Sequence, residues 1–159
     1  MSNETKLNTT INGIEYNLMV PARLLASDFL RDNLNLTGTH VGCEHGICGS
    51  CTIKIDGLTA RSCLKFAVQL DGRKVETVES FKEKPETRII LEKFKAHHSL
   101  QCGFCTPGFL MIIDELLKSK IKFSENEIRE ALSGNLCRCT GYENIIKAAK
   151  EILTHKVIK

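Results

Sequence analysis

The sequence predicts an α+β chain in two halves, a small sheet carrying one helix over residues 1–80 and an all-helical segment over 81–159. Three observations predict it. Short alternating runs broken by Asn12-Gly13, Asp56-Gly57 and Asp71-Gly72 fill the first half, apolar residues at helical spacing fill the second, and the eight cysteines form one quartet in each. A chain of 159 residues has room for two small domains and little more.

The elements follow in order. Each Asx-Gly pair suits a tight hairpin because glycine tolerates positive φ. Lys6 to Ile11 and Ile14 to Val20 therefore form one hairpin, and Thr52 to Ile55 with Leu58 to Arg61 another. Between them Leu24 to Leu34 places Leu25 with Phe29, and Leu30 with Leu34, at i,i+4 spacing, which predicts one amphipathic helix. Pro85 opens a helix running to about Ser99, and Pro107 opens another carrying Leu110, Ile113 and Leu117. Ser124 and Glu127 have capping-box spacing and start a third helix, which reaches Leu132. Thr140 and Glu143 repeat that spacing and start a fourth, with Ile145, Ile146 and Ile152. The charged stretch from Glu79 to Glu86 is the expected linker.

Composition narrows the function. The chain is 42% hydrophobic and 26% charged with a formal charge of +3, so it is an ordinary globular chain without the charge bias of a nucleic-acid or membrane-surface binder. Its longest apolar stretch, Phe109 to Ile113, is far short of the ~20 residues that span a bilayer. The polar Met1 to Thr10 has no secretory pattern, which predicts an intracellular, cytoplasmic protein whose cysteines stay thiols. No Gly-x-Gly-x-x-Gly, Gly-x4-Gly-Lys-Ser/Thr or serine-elbow motif is present, so no recognisable substrate machinery and no catalytic residue is expected on this chain.

The cysteines carry the chemistry. Cys43-x4-Cys48-x2-Cys51, followed by Cys63 after eleven intervening residues, has plant-type ferredoxin spacing for a [2Fe-2S] cluster. Gly42, Gly46 and Gly49 beside these ligands suit a loop whose amides turn toward sulfur. Cys102-x2-Cys105 and Cys137-x-Cys139 are separated by thirty-one residues, enough for two antiparallel helices that bring both pairs to one end of a bundle. Four-cysteine zinc sites also use Cys-x2-Cys pairs, but the first quartet places three ligands in one loop, and iron-sulfur is the better account.

The segments GCEHGICGSCTIKIDG (42–57), QCGFCTPG (101–108) and GNLCRCTGY (134–142) resemble the iron-sulfur small subunit of the xanthine oxidase family of molybdenum hydroxylases, such as those of aerobic carbon monoxide dehydrogenase and aldehyde oxidoreductase. The resemblance covers nearly the whole chain, in order, with Ser50 standing where alanine is frequent. It implies an N-terminal β-grasp ferredoxin-like [2Fe-2S] domain over 1–80 and a C-terminal four-helix-bundle [2Fe-2S] domain over 81–159. It further implies that Cys102, Cys105, Cys137 and Cys139 hold the molybdenum-proximal cluster, that Cys43, Cys48, Cys51 and Cys63 hold the flavin-side one, and that Gln101 and Cys139 approach the pterin. The resemblance also implies that molybdopterin and FAD lie on partners, a large and a medium subunit, in a dimer of heterotrimers. The alternative is a flavin-free two-subunit relative that passes electrons to a haem or other carrier.

Other residues read as structural. Adjacent His97 and His98 point about 100° apart on a helix and make a poor shared site. His45 has four thiolates beside it and is not needed as a ligand, Phe104 packs, and Glu44 is solvated. Arg138 either offsets cluster charge or hydrogen-bonds a carbonyl.

Overall fold

The computed structural model describes residues 4–119 and 121–155. The first three residues of the polar amino terminus, Lys120, and residues 156–159 of the helical half lie outside them. Strands β1 (Glu4–Ile11) and β2 (Ile14–Pro21) pair antiparallel with Ile11 opposite Ile14. Asn12 and Gly13 both take positive φ between them, 52° and 85°, the conformation of the favoured two-residue hairpin turn. Strands β3 (Thr52–Ile55) and β4 (Leu58–Arg61) form the second expected hairpin at Asp56-Gly57.

The third Asx-Gly pair closes no hairpin. Asp71 accepts the Asn8 amide at 2.7 Å, and the chain continues from a 3-10 turn, Ala67–Leu70, into β5 (Lys74–Glu76). Three residues are too short for a legible alternation, and the sequence reading leaves this strand out. β5 is central nonetheless: the sheet order is β2-β1-β5-β3-β4, with β5 parallel to β1 and antiparallel to β3.

The helix expected over 24–34 begins later and ends wider. Leu25, extended just before the helix, pairs with Phe66, with the Ala67 amide on Leu24 O at 2.7 Å and the Ala26 amide on Lys65 O at 2.8 Å. Helix α1 (Ala26–Asp28) then continues as a π-helical turn, Phe29–Asn33, in which the Leu34 amide reaches Phe29 O at 3.2 Å. Phe29 and Leu30 bury there with Leu7, Ile11, Ile53, Leu70 and Val75, forming the core of the first half.

Helices α2 (Pro85–Ala96), α3 (Thr106–Lys118), α4 (Glu125–Leu132) and α5 (Glu143–His155) share the second core, built on Ile90, Phe94, Phe109, Ile113, Ile128, Ile145 and Ile152. α2 stops at Ala96 because His98 turns to a φ of 49° and the Ser99 amide returns to Phe94 O at 2.9 Å. Both arms of the Ser124–Glu127 capping box form, with the Glu127 amide on Ser124 Oγ at 3.3 Å and the Ser124 amide on Glu127 Oε2 at 2.7 Å. Thr140 does not cap α5. Gly141 and Tyr142 turn left-handed, 65° and 68°, so the helix begins three residues after it.

The charged stretch expected as a linker is largely ordered. Val78–Lys82 forms a 3-10 turn, and Phe81 is buried in the helical core. Helix α3 contributes to that core on one side and lies against β3 and β4 on the other. Its N-terminus therefore sits where the two cysteine-bearing regions approach each other.

Candidate metal centres

All eight cysteines are free thiols. Cys43, Cys48 and Cys51 lie on the loop that leads into β3, and Cys63 lies in the short 3-10 turn Ser62–Leu64 that follows β4. The hairpin returns Cys63 to the loop: the Ser62 amide and hydroxyl both reach Cys51 O, at 3.2 and 2.8 Å. Glu44 and Gly46 take positive φ, 56° and 76°, which turns the loop back on itself. The amides of Cys48 and His45 then donate to Cys43 Sγ, each at 3.4 Å, and they pull that thiol down to about 6. Burial, reinforced by the neighbouring Cys51 thiol, pushes Cys63 up to about 11.

In the second quartet Cys105 occupies the N-cap of α3 with Cys102 just before it, while Cys137 and Cys139 lie between α4 and α5. Cys139 Sγ and Cys102 Sγ are 3.5 Å apart. Burial, together with the Cys137 thiol, pushes Cys105 up to about 12. Burial also acts on Cys137, but the Thr140 hydroxyl at 3.1 Å and the Thr140 amide at 3.4 Å outweigh it and hold Cys137 below the usual thiol value. The Cys137 amide donates to the Tyr142 hydroxyl at 3.0 Å, and the Tyr142 ring packs edge-on to Phe109.

Within each quartet the thiols lie close enough to act on one another. Cys139 Sγ meets Cys102 Sγ at 3.5 Å, Cys105 is acted on by Cys137 and Cys102, and in the first quartet Cys43 is acted on by Cys48 and Cys63 by Cys51 and Cys43. A diiron cluster takes two thiolates at each iron, whereas a four-cysteine zinc needs all its sulfurs around one point. The donor set fits two [2Fe-2S] clusters.

The remaining expected site residues have defined places. Gln101 is exposed beside Cys102, and Cys102 and Cys139 are exposed while Cys105 and Cys137 are buried. His45 Nδ1 hydrogen-bonds Cys43 O, and His97 Nε2 meets Glu151 Oε2 at 2.5 Å, so neither points into a quartet. Arg138 is exposed. Phe104 is 46% exposed and stacks on His40 with ring centroids 4.7 Å apart, and its carbonyl accepts from His40 Nδ1 at 2.8 Å.

Sequence reasoning missed the seam between the quartets. The Leu136 amide, next to Cys137, donates to the carbonyl of Cys48 at 2.8 Å. Asn135 is fully buried there between Gly49 and Gly108, and Arg61 Nη2 donates to Gly134 O at 2.7 Å. The one available signal was the position of these residues beside cysteines, since a buried asparagine in a polar-looking loop has no periodicity to betray it.

Comparison with known proteins agrees with this geometry. Residues 32–98 match a family described as a 2Fe-2S iron-sulfur cluster binding domain, and residues 77–150 match a [2Fe-2S] binding domain. The gamma subunit of caffeine dehydrogenase from Pseudomonas sp. (strain CBB1) is 52% identical over 149 residues, covering 92% of this chain and 89% of that one. The chain belongs to the iron-sulfur small subunits of the molybdenum hydroxylases. The nicotine 6-hydroxylase small subunit of Paenarthrobacter nicotinovorans is 48% identical, over 92% of this chain and 88% of its own. The crystal structure of quinoline 2-oxidoreductase from Pseudomonas putida 86 contains a chain with a TM-score of 0.91 and 44% identity, covering 98% of each. As such an iron-sulfur subunit the chain serves an oxidoreductase in electron transfer. Among the described residues no helix is long and apolar enough to cross a membrane.

Proposed function

We propose that this subunit relays electrons between a molybdopterin centre on a large partner and FAD on a medium partner, entering at Cys102, Cys105, Cys137 and Cys139 and leaving at Cys43, Cys48, Cys51 and Cys63. In this reading residues 1–80 form a β-grasp domain and 81–159 a four-helix bundle, in a cytoplasmic dimer of heterotrimers. Each [2Fe-2S] cluster supplies one-electron storage, so the two electrons of one substrate oxidation leave singly.

The observation that carries the reading is the hydrogen bond from Leu136 N–H to Cys48 O, 2.8 Å long. It joins a residue adjacent to one quartet directly to a member of the other, so the two thiolate loops share a short bonded route. Orientation has support as well. The exposed Cys102 and Cys139, with Gln101 beside them, face outward, as an entry contact to a pterin requires. Leu100, Phe104 and Leu136 are exposed around this end, and Ile47 and Leu64 around the other, giving each quartet an apolar rim for a partner. The substrate pocket lies on the large partner.

Copurification with the proteins of neighbouring genes tests the proposal. The expected complex contains molybdenum and FAD on chains other than this one, with iron and labile sulfide on this one. A complex with molybdenum and haem but no flavin would replace the flavin exit with the two-subunit alternative, and a zinc-loaded chain without sulfide would overturn the relay altogether.

A further inference from the structure

Lys54 and Asp114 are each 1% exposed and form a hydrogen-bonded ion pair between the two halves of the molecule. Lys54 lies on β3, three residues after Cys51, and Asp114 lies on α3, nine residues after Cys105. Alternation along β3 sends Ile53 into the core of the first half and Lys54 to the opposite face, against α3. The pair belongs to a wider network. Glu76 on β5 meets Lys54 at 2.6 Å and Lys84, just before α2, at 2.9 Å. Lys118, one turn along α3, meets Asp114 at 3.0 Å. The next residue on α3 engages the next strand, for Glu115 Oε2 accepts the Thr59 amide of β4 at 2.7 Å. Two successive carboxylates on α3 thus grip two adjacent strands.

Stability does not account for the choice of residues. Replacing a buried ion pair by well-packed apolar side chains is often neutral or stabilising, because two charges must be desolvated to make it. Here the pairing is also incomplete, since Asp114 Oδ1 has no hydrogen-bond partner among the described residues. Burial pushes the Lys54 ammonium down, but the Asp114 and Glu76 carboxylates outweigh it and keep its pKa above the ordinary lysine value. What an ion pair has and an apolar contact lacks is direction. A slide of α3 by one turn, about 5.4 Å, would break both contacts that cross from α3 to the sheet, Lys54 with Asp114 and the Thr59 amide with Glu115.

We propose that Lys54 and Asp114 are a positioning pair that fixes the register in which the sheet docks on α3, and through it the contact between the Cys48 carbonyl and the Leu136 amide. This rests on the relay reading above, in which that contact joins the two quartets. Neither residue touches a cysteine in this role; both act through the placement of the loops.

The test uses the assembled holoenzyme with two variants, Asp114→Asn, which leaves Lys54 with Glu76 as its remaining counter-charge, and the double variant Lys54→Met/Asp114→Val, which removes both charges with only a small increase in volume. Hydrogen-deuterium exchange of the peptide containing Leu136 is followed beside peptides from the Ile53 and Phe109 cores, and EPR records the magnetic coupling of the two reduced clusters. Exchange at Leu136 is expected to rise about tenfold or more in the double variant while the two core peptides are unchanged, and the coupling is expected to broaden. Unchanged exchange and unchanged coupling in the double variant overturn the proposal, and that variant decides even if Asp114→Asn does not assemble. A wild-type spectrum with a single paramagnet would instead defeat the relay reading, and the exchange data would still judge the pair.

Discussion

The side chain of Asn135 fills the space that a β-carbon on Gly49 would need: such an atom would lie 1.9 Å from Asn135 Oδ1 and 2.6 Å from Gly134 O. Gly49 sits between Cys48 and Cys51 and Asn135 just before Leu136 and Cys137, so the two quartets approach each other with nothing larger than hydrogen between them at this point. Gly108, at the start of α3, closes the third side, its own β-position 2.3 Å from Gly49 O.

Gly49→Ala is therefore expected to cost about 2–5 kcal/mol, from overpacking plus the strain of a φ of +77°. Gly13→Ala is the control, because its φ is +85° but nothing lies within 4 Å, and it should cost only about 1–2 kcal/mol. Denaturant unfolding of the two holoproteins measures the difference. Equal losses would show that the seam yields.

Thr140 should tune the helical-half cluster. Its hydroxyl donates to Cys137 Sγ at 3.1 Å, and such a bond favours the more negative, reduced state. Thr140→Val is expected to lower the reduction potential of that cluster alone, with Thr140→Ser restoring it. Potentiometry monitored by EPR checks both, and an unmoved potential in the valine variant would remove Thr140 from the electronic account.

How far the sequence carries is clearest at Thr140 and Lys54. Hairpins at Asn12-Gly13 and Asp56-Gly57 and the Ser124 cap are local patterns, where a few neighbouring residues decide the conformation. Thr140 has capping-box spacing to Glu143, but the left-handed turn at Gly141 and Tyr142 diverts its hydroxyl to sulfur, and spacing alone does not register that competition. Lys54 carries no local sign of its burial, because α3, sixty residues further on, is what buries it. β5 has three residues and takes its identity from β1 and β3 on either side. Local chemistry was legible; contacts between the halves were not.

Acid should weaken the seam through Glu76. Burial would raise its pKa, but Lys54 and Lys84 outweigh that and hold it at about 2, against 4.5 unperturbed. A carboxylate depressed in the folded state contributes stability that is complete above its unfolded value and lost as pH falls from about 4.5 toward about 2. The holoprotein should thus lose on the order of 1–2 kcal/mol more between pH 7 and pH 3.5 than a Glu76→Gln variant does. Parallel curves for the two proteins would contradict the assignment.

The separation of the eight cysteines into two quartets makes the central claim directly measurable. Low-temperature EPR of the dithionite-reduced holoprotein, integrated against protein concentration, should give two distinct [2Fe-2S] signals totalling two spins per chain. Substituting Cys43 should abolish one of them and substituting Cys137 the other. A single signal in the wild type, or the loss of both from either substitution, would contradict two separate clusters on two separate quartets.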